Sequence, residues 1–229
     1  MIPLKDNVPT RTLPIIAVGF IFVNILIFLW QRFALQGNES EMIYKYYGFV
    51  PHELIMSLTT QWNLVPYNVM TIFTSIFLHG GFLHLAGNML YLWIFGNSVE
   101  DALGHTRFIF FYFVSGLIAA AFQLLYDPSS NVPMIGASGA ISGVLGAYLV
   151  LYPYARIKTL LIIIVFIKVV ELPAILLLTI WFFMQVLYSI SMDGVAWYAH
   201  IGGFIFGLLT VKLFVRKSGR KSKSLRTAS

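Results

Sequence analysis

The chain has 229 residues, of which 59% are hydrophobic and only 10% are charged, and its mean hydropathy is +0.82. A soluble domain of this size cannot bury so much apolar surface, so the composition excludes a soluble globular protein and predicts an integral membrane protein. Cysteine is absent from the sequence, which excludes disulfides, thiolate metal sites and a cysteine nucleophile.

The net charge of +6 is concentrated near the C-terminus. Seven of the 15 lysines and arginines lie at or beyond residue 212, namely Lys212, Arg216, Lys217, Arg220, Lys221, Lys223 and Arg226. Basic residues clustered after an apolar segment are typical of a cytoplasmic anchor beside anionic lipid. We therefore expect these basic residues to contact the lipid bilayer and not to bind nucleic acid. Residues 216–229 are predicted to form a basic cytoplasmic tail.

The first apolar run extends from Leu13 to Trp30. It is long for the core of a signal peptide and no small-x-small cleavage site follows it, so we predict a retained first span after a cytoplasmic N-terminus, residues 1–12. Residues 31–61 are mixed and aromatic, which is typical of a loop in the lipid headgroup region. The segment from Asn68 to Leu78 is apolar but too short to span, and is predicted as an interfacial or partly buried helix.

Five further apolar stretches have about the length of a membrane-crossing helix, roughly 18–25 residues. They are predicted as the second to sixth spans: Phe82 to Val99, Phe108 to Tyr126, Ile135 to Tyr152, Leu172 to Ile190 and Val195 to Val215. A shorter apolar run, residues 159–170, is interrupted by Lys168 and followed by Glu171 and Pro173. Its pattern leaves three alternatives open: a re-entrant segment, an interfacial segment, or an extension of the next helix.

The basic residues predict the orientation of these spans. With six spans and a cytoplasmic N-terminus, only Arg32 and Lys45 among the lysines and arginines fall outside. A seventh span at residues 159–170 would put the basic tail outside, which the same rule disfavours. The expected fold is an all-α membrane protein with a six-helix bundle over residues 13–215, located in the cell membrane with both termini cytoplasmic.

Under this topology the second, fourth and sixth spans run from outside to inside, and each carries unusual polar residues near its outer end. Ser138 and His200 both lie roughly 8–9 Å along their helices, at ~1.5 Å of rise per residue. His84 and Asn88 are spaced i and i+4, so they share one face of the second span. Because a histidine inside a membrane is costly and by default marks a functional site, we expect these four residues to converge.

Such a set of residues supports acyl transfer. A serine becomes nucleophilic when a neighbouring base takes its proton, so Ser138 is the candidate nucleophile and His200 the candidate base. No carboxylate is placed to orient His200, which predicts a Ser-His dyad and not a triad. The candidate donors to an oxyanion are the side chains of His84 and Asn88 and the backbone N–H of Ser138.

Glycines predict that the fourth and sixth spans pack closely. Small-xxx-small faces are formed by Gly139 and Gly143 in the fourth span and by Gly203 and Gly207 in the sixth. Such spacings alone indicate only helix packing. Here the close approach would also bring the candidate nucleophile to its base.

Four motifs, in this order, resemble the signature of the rhomboid intramembrane serine proteases. They are His79-Gly80-Gly81-Phe82-Leu83-His84-Leu85-Ala86-Gly87-Asn88, then Gly96 with Glu100-Asp101, then Gly136-Ala137-Ser138-Gly139, then Ala199-His200-Ile201-Gly202-Gly203 with Gly207. The resemblance covers about residues 71–208.

This resemblance implies a six-helix core in which Ser138 is the nucleophile, His200 is the base, and His84 and Asn88 contribute to the oxyanion site. It implies cleavage of a single-pass transmembrane substrate near the outer membrane boundary, without a metal or cofactor, after a small residue. It also implies structural roles near the site for Gly136, Gly139, Gly203 and His79. The last of these is expected to hold the first loop through hydrogen bonds.

Two positions depart from the pattern of some family members. The first loop has Met70-Thr71 where those members carry Trp-Arg. Ser142 stands one helical turn after the nucleophile, where they carry a tyrosine against the catalytic histidine. The residue that steadies His200 is therefore open, with Trp197 and Tyr198 as candidates.

Two other functions are compatible with parts of the pattern. A non-catalytic relative would bind membrane-protein clients without cleaving them, but it has no need to keep both Ser138 and His200. A small transporter would use the histidines as a proton path, but the sequence has no inverted repeat or charged pathway that supports one. The sequence identifies neither the natural substrate nor the oligomeric state.

Overall fold

The computed structural model describes residues 1–33, 39–163, 166–191 and 195–216. Within these ranges the α-helices are α1 (Ile15–Phe33), α2 (Glu39–Tyr47), α3 (Pro51–Thr60), α4 (Val65–Ser75), α5 (Phe82–Tyr91), α6 (Asn97–Leu103), α7 (His105–Tyr126), α8 (Ser138–Leu151), α9 (Ala174–Ser191) and α10 (Trp197–Phe214). A 3-10 turn (Trp62–Leu64) precedes α4, and a π-helical segment (Leu92–Gly96) joins α5 to α6. The strands in the same ranges are β1 (Ile2–Asp6), β2 (Arg156–Ile163) and β3 (Phe166–Pro173).

Four of the described helices are long and apolar enough to cross a membrane, which makes the chain a membrane protein. They are α1, α7, α9 and α10, at the positions of the predicted first, third, fifth and sixth spans. The predicted second span is the continuous helix from α5 through the π-helical segment to α6. The predicted fourth span is α8, which has only 14 residues.

Helix α8 lies at the centre of the bundle. Residues 139–148 are all buried, and the helix packs between α7 and α10. By contrast, α1 and α9 present large apolar side chains outward, Phe22 and Ile190 among them. This arrangement suits a membrane, because lipid is as apolar as the protein interior and outer helix faces need no polar side chains.

The backbones of α8 and α10 are in direct contact. A Cβ added at Gly207 would overlap the carbonyl oxygen of Gly143, and one added at Gly203 would overlap the carbonyl oxygen of Gly139. Helix α7 also approaches closely, since a Cβ at Gly139 would lie 2.8 Å from Ala119 Cβ. The predicted small-residue contact between the fourth and sixth spans is therefore confirmed.

Carboxylates and an arginine tie the helices together at the end of the bundle where α8 terminates. Glu100, which is fully buried, accepts a 2.8 Å hydrogen bond from the backbone N–H of Ala17 and so caps the N-terminus of α1. Asp101 accepts hydrogen bonds from the backbone and hydroxyl of Thr12. Arg107 donates to two carbonyls that end α10. The starts of α1 and α7 therefore lie beside the ends of α6 and α10.

The same end of the bundle carries a three-stranded antiparallel sheet in the order β1-β2-β3, so the all-α expectation is wrong in this part. In β1, Ile2 pairs with Leu160 of β2, and β2 pairs with β3 from Arg156 opposite Pro173 onward. The N-terminal residues thus contribute a strand to the fold. Residues 159–163 lie in β2 and residues 166–170 lie in β3, so the described part of this run is extended and is not an extension of the next helix.

The side-chain pattern of β2 explains why this apolar run is extended. Ile157 and Thr159 are fully buried, while Arg156 and Lys158 between them are exposed, which is the period-two alternation of a strand with one covered face. The run is also rich in β-branched residues, which favour strands. Counting apolar residues alone does not separate such a strand from a short helix.

The first loop contains regular structure. Residues 31–61, predicted as a loop, hold α2 and α3, and residues 34–38 lie outside the described part of the chain. Helix α4 takes the place of the predicted short helix and begins three residues earlier, at Val65. Phe49 and Met134 exchange backbone hydrogen bonds of 3.1 and 2.8 Å, which fasten this loop to the segment that leads into α8.

Replacing Gly207 with alanine tests the backbone contact between α8 and α10. We expect Gly207→Ala to lower the free energy of unfolding by about 1–3 kcal/mol, the usual cost of overpacking, because the methyl group has no space beside the Gly143 carbonyl. Thermal unfolding of the detergent-solubilised protein measures the change.

The matched control is Gly19→Ala in α1, where an added Cβ meets nothing within 4 Å. Alanine favours helix over glycine by ~1 kcal/mol, so this variant should be neutral or slightly stabilised. Equal unfolding temperatures for the two variants would contradict the backbone contact.

Candidate active site

Ser138 is the first residue of α8, and the turn before it depends on Gly136. Gly136 has a φ of +114°, a backbone conformation that favours glycine. Its N–H donates a 2.9 Å hydrogen bond to the carbonyl of Ser75, which ties the turn to the end of α4. A Cβ at Gly136 would also lie 2.7 Å from His84 Nε2. Conformation and space therefore both require glycine two residues before the serine.

His200 lies in the first turn of α10, with its Nε2 2.7 Å from Ser138 Oγ. This is hydrogen-bonding distance. The contact between α8 and α10 sets this distance. Gly203, three residues after the histidine, lies against Gly139, the residue after the serine. The structure thus brings together the two residues predicted to form the dyad.

The other ring nitrogen of His200 also has a partner. Its Nδ1 lies 2.8 Å from Oε1 of Gln185, a buried residue of α9. The amide nitrogen of Gln185 donates in turn to the carbonyl oxygen of Trp181 at 3.2 Å, one turn earlier in the same helix. The sequence prediction omits Gln185, although an amide inside an apolar span is a usable signal of a buried polar contact.

Aromatic rings flank the imidazole of His200. The ring of Trp197 meets it edge-on, with centroids 5.8 Å apart, so one of the two expected neighbours is in contact. The other candidate, Tyr198, stacks on Tyr126 of α7. Helical geometry gives the reason: residues three apart share a face, whereas residues two apart point to nearly opposite sides.

His84 and Asn88 lie on the face of α5 that meets the turn before Ser138. A Cβ on Gly136 would be 3.6 Å from Asn88 Nδ2, in addition to its contact with the His84 ring. Asn88 is buried, and within the described part of the chain its Nδ2 has no hydrogen-bond partner. The four predicted residues therefore border one space, and one of them offers an unused donor to it.

His79 is fully buried, with its ring centroid 5.0 Å from that of His84. Its backbone makes the contacts that hold the first loop: the N–H donates to Gln31 Oε1 at 3.4 Å, and the carbonyl accepts from the Tyr44 hydroxyl at 3.1 Å. Burial, and secondly the neighbouring His84, lower the pKa of His79 to about 3. Its ring is therefore neutral at physiological pH and packs as an uncharged group.

Ser142 lies one turn along α8 from Ser138. Its hydroxyl donates a 2.7 Å hydrogen bond to the backbone carbonyl of Ser138, and the residue is buried. Gly203 packs against it, since a Cβ there would lie 3.3 Å from Ser142 Cβ. A small residue at position 142 thus leaves room for α10, and its hydroxyl is bonded to the backbone of its own helix.

A cavity of about 950 Å³ opens beside the serine and histidine. Its lining includes Ser138, His200, His84, Asn88 and Gln185, contributed by α5, α8, α9 and α10. The volume lies in the range of ligand sites, about 300–1,000 Å³. It is large enough for a short stretch of peptide next to the serine hydroxyl.

Three acidic residues, Asp127, Glu171 and Asp193, lie in segments next to α7, α9 and α10. Asp127 accepts a hydrogen bond from Ser129 in its own loop, and Glu171 is in β3. Asp193 lies outside the described residues. Within the described ranges, no group of three or more His, Asp or Glu side chains is arranged to hold a metal ion.

Comparison with known proteins shows where this arrangement belongs. A rhomboid domain family model matches residues 66–217, about two thirds of the chain. The chain is 40% identical over 92 residues to the mitochondrial rhomboid protein 1 of Saccharomyces cerevisiae, which covers 38% of this chain and 27% of the relative. It is 43% identical over 76 residues to the rhomboid protease GluP of Bacillus subtilis, which covers 33% of this chain and 14% of the relative.

A longer and weaker match, 28% identical over 142 residues, is to the human presenilin-associated rhomboid-like protein, mitochondrial, and covers 61% of this chain and 33% of the relative. The chain thus spans a third or less of the length of each of these relatives. The family model, in contrast, covers most of the chain and every residue from His79 to His200. The chain therefore belongs to the rhomboid family.

Proposed function

We propose that this chain is an intramembrane serine endopeptidase that cleaves the transmembrane segments of single-pass membrane proteins near the outer membrane boundary. The observation that carries the proposal is the 2.7 Å hydrogen bond between Ser138 Oγ and His200 Nε2, beside a cavity between apolar helices. Membership of the rhomboid family, which includes the rhomboid protease GluP of Bacillus subtilis, supports the same reaction.

In the proposed reaction, His200 Nε2 takes the proton of the Ser138 hydroxyl while Oγ attacks the carbonyl carbon of the scissile peptide bond. The imidazolium then gives this proton to the leaving amine, and the remaining half of the substrate stays bound to Oγ as an ester. A water molecule, deprotonated by the same imidazole, hydrolyses that ester. The proton returns to Ser138 and the dyad is restored.

The negative charge that develops on the carbonyl oxygen needs preorganised donors. Asn88 Nδ2 is the best placed, because it is buried beside the turn at Gly136 and has no other partner among the described residues. The backbone N–H of Ser138 is at the N-terminus of α8, where the helix dipole favours an anion. The imidazole of His84, in contact with the same turn, is the third donor.

The length of α8 sets the depth of the proposed cut. Its 14 residues rise only ~21 Å, against ~30 Å for the hydrocarbon core. Because α8 ends at the side of the bundle that carries β2, Ser138 at its start lies below the opposite membrane boundary. A substrate helix must open there to expose a peptide bond, so residues that weaken its helix should favour cleavage.

We further propose six crossings, formed by α1, the α5–α6 helix, α7, α8, α9 and α10, with both termini cytoplasmic in a cell membrane. The contacts of Glu100, Asp101 and Arg107 support this, since they join helix starts and ends as alternating crossings require. The basic residues of β1 and β2 lie at the same end, as the positive-inside rule expects. Residues 217–229 of the predicted tail lie outside the described chain.

Labelling with a fluorophosphonate probe tests whether Ser138 is an activated nucleophile. We expect the folded wild-type protein to form a covalent adduct, and Ser138→Ala and His200→Ala to form none and to cleave no model transmembrane substrate. Activation by a base is what distinguishes such a serine from an ordinary hydroxyl. Gel fluorescence and mass spectrometry of the labelled peptide measure the adduct.

The matched control is Ser142→Ala, one turn along the same helix, which should keep both labelling and cleavage. Folding of each variant is checked by its thermal unfolding temperature. If Ser138→Ala still cleaves substrate, the nucleophile is another residue. If the folded wild type neither labels nor cleaves, the protease proposal fails.

Replacing Asn88 with alanine tests the oxyanion site. We expect Asn88→Ala to lower kcat by ~10²–10³, the usual cost of one oxyanion donor, with a small change in KM. Cleavage kinetics of a model transmembrane substrate measure both constants. The control is Asn131→Ala in the exposed loop before α8, which should leave the kinetics as in the wild type. An unchanged kcat for Asn88→Ala would remove this residue from the oxyanion site.

A further inference from the structure

We propose that Gln185 is the third member of the catalytic arrangement: a positioning residue that holds His200 in the tautomer able to accept the serine proton. This inference rests on the proposed protease function and adds a residue from α9 to the serine of α8 and the histidine of α10. It answers the question of what orients the imidazole, whose hydrogen bonds among the described residues are to Gln185 and Ser138.

The two hydrogen bonds of His200 determine where its proton lies. Nδ1 is 2.8 Å from Gln185 Oε1, and Nε2 is 2.7 Å from Ser138 Oγ. A neutral imidazole has one N–H donor and one acceptor nitrogen, and an amide oxygen can only accept. Nδ1 must therefore carry the hydrogen, which leaves the lone pair of Nε2 facing the serine hydroxyl. The opposite tautomer would direct an N–H at Ser138 and could not serve as a base.

The orientation of the Gln185 amide is itself held by the backbone of α9. Its Nε2 donates to the carbonyl oxygen of Trp181 at 3.2 Å. Rotating the amide by half a turn would place Oε1 against that carbonyl, so that two acceptors would face each other, and would direct an NH₂ group at His200 Nδ1. The Trp181 carbonyl thus selects the amide rotamer, and the amide then selects the imidazole tautomer.

Burial makes this chain of hydrogen bonds significant. Gln185 is only 6% exposed, and the imidazole is flanked by the rings of Trp181 and Trp197 at 6.3 and 5.8 Å. Water cannot readily replace a hydrogen bond in such surroundings, so losing the amide would leave Nδ1 without an acceptor. A neutral amide differs from the carboxylate of a triad because it orients the ring without adding a negative charge beside it.

Two substitutions at position 185 separate positioning from packing. Gln185→Met has a similar size and no acceptor, so we expect kcat for a model transmembrane substrate to fall about 10- to 100-fold, the range for losing the partner that orients a functional histidine. KM should change by less than about threefold and the unfolding temperature should stay close to that of the wild type, because volume-conserving swaps cost little.

Gln185→Glu keeps an acceptor for Nδ1–H and adds negative charge. We expect it to recover most of the kcat lost in Gln185→Met, and to move the acidic limb of the pH–kcat profile to higher pH, because a carboxylate favours the imidazolium. The control Ser191→Ala, at the exposed end of α9 and bonded to its own helix, should show wild-type kcat and pH profile. A purely structural role for Gln185 would not move the acidic limb.

The outcomes distinguish this inference from the function on which it rests. If the wild type shows no Ser138-dependent labelling or cleavage, the protease function fails. If the wild type is active while Gln185→Met keeps the wild-type kcat, or Gln185→Glu keeps the wild-type pH profile, the function stands and the positioning role is overturned. If Gln185→Met does not fold, the pH profile of Gln185→Glu decides whether Gln185 positions His200.

Discussion

The direct contact between the backbones of α8 and α10 is the constraint on which the site depends. Ser138 and His200 stand on different helices, and their 2.7 Å hydrogen bond depends on glycines that let the two backbones touch at Gly139, Gly143, Gly203 and Gly207. Nothing else in the site compensates for a wider separation, since the imidazole is short and both helices are stiff. The packing of α8 against α10 and the proposed chemistry therefore depend on the same glycines. A residue such as Gly207 supports the site through this packing and not through a contact with the reacting groups.

Much of this could be predicted from the sequence because membrane helices have simple geometry. Apolar length placed the helices, and a rise of ~1.5 Å per residue placed Ser138 and His200 at one depth. The i, i+4 spacing of His84 and Asn88 put both on the face that meets Gly136. Glycine spacing indicated which helices touch. Each of these inferences uses one periodicity and needs no knowledge of distant contacts.

The features that could not be predicted depend on contacts between segments far apart in the chain. Gln185 looks like any polar residue tolerated in a span until α9 brings it to His200. Strand β2 is an ambiguous apolar run until its partner β1 is known, and the paired residues lie far apart in the chain: Asp6 pairs with Ile157, and Lys5 pairs with Lys158. His79 holds its loop through backbone groups, which every residue has. Sequence patterns identify side-chain types well and pairings between segments poorly.

The pairing of β1 with β2 bears on how the protein is made. During synthesis the residues of β1 cannot pair with β2 until residues 156–163 have followed them. Under the proposed topology, four crossings separate the two strands, so a single failed insertion among them would leave β1 and β2 on opposite faces of the bilayer. On that topology, formation of the sheet would indicate that no single crossing between the strands had failed.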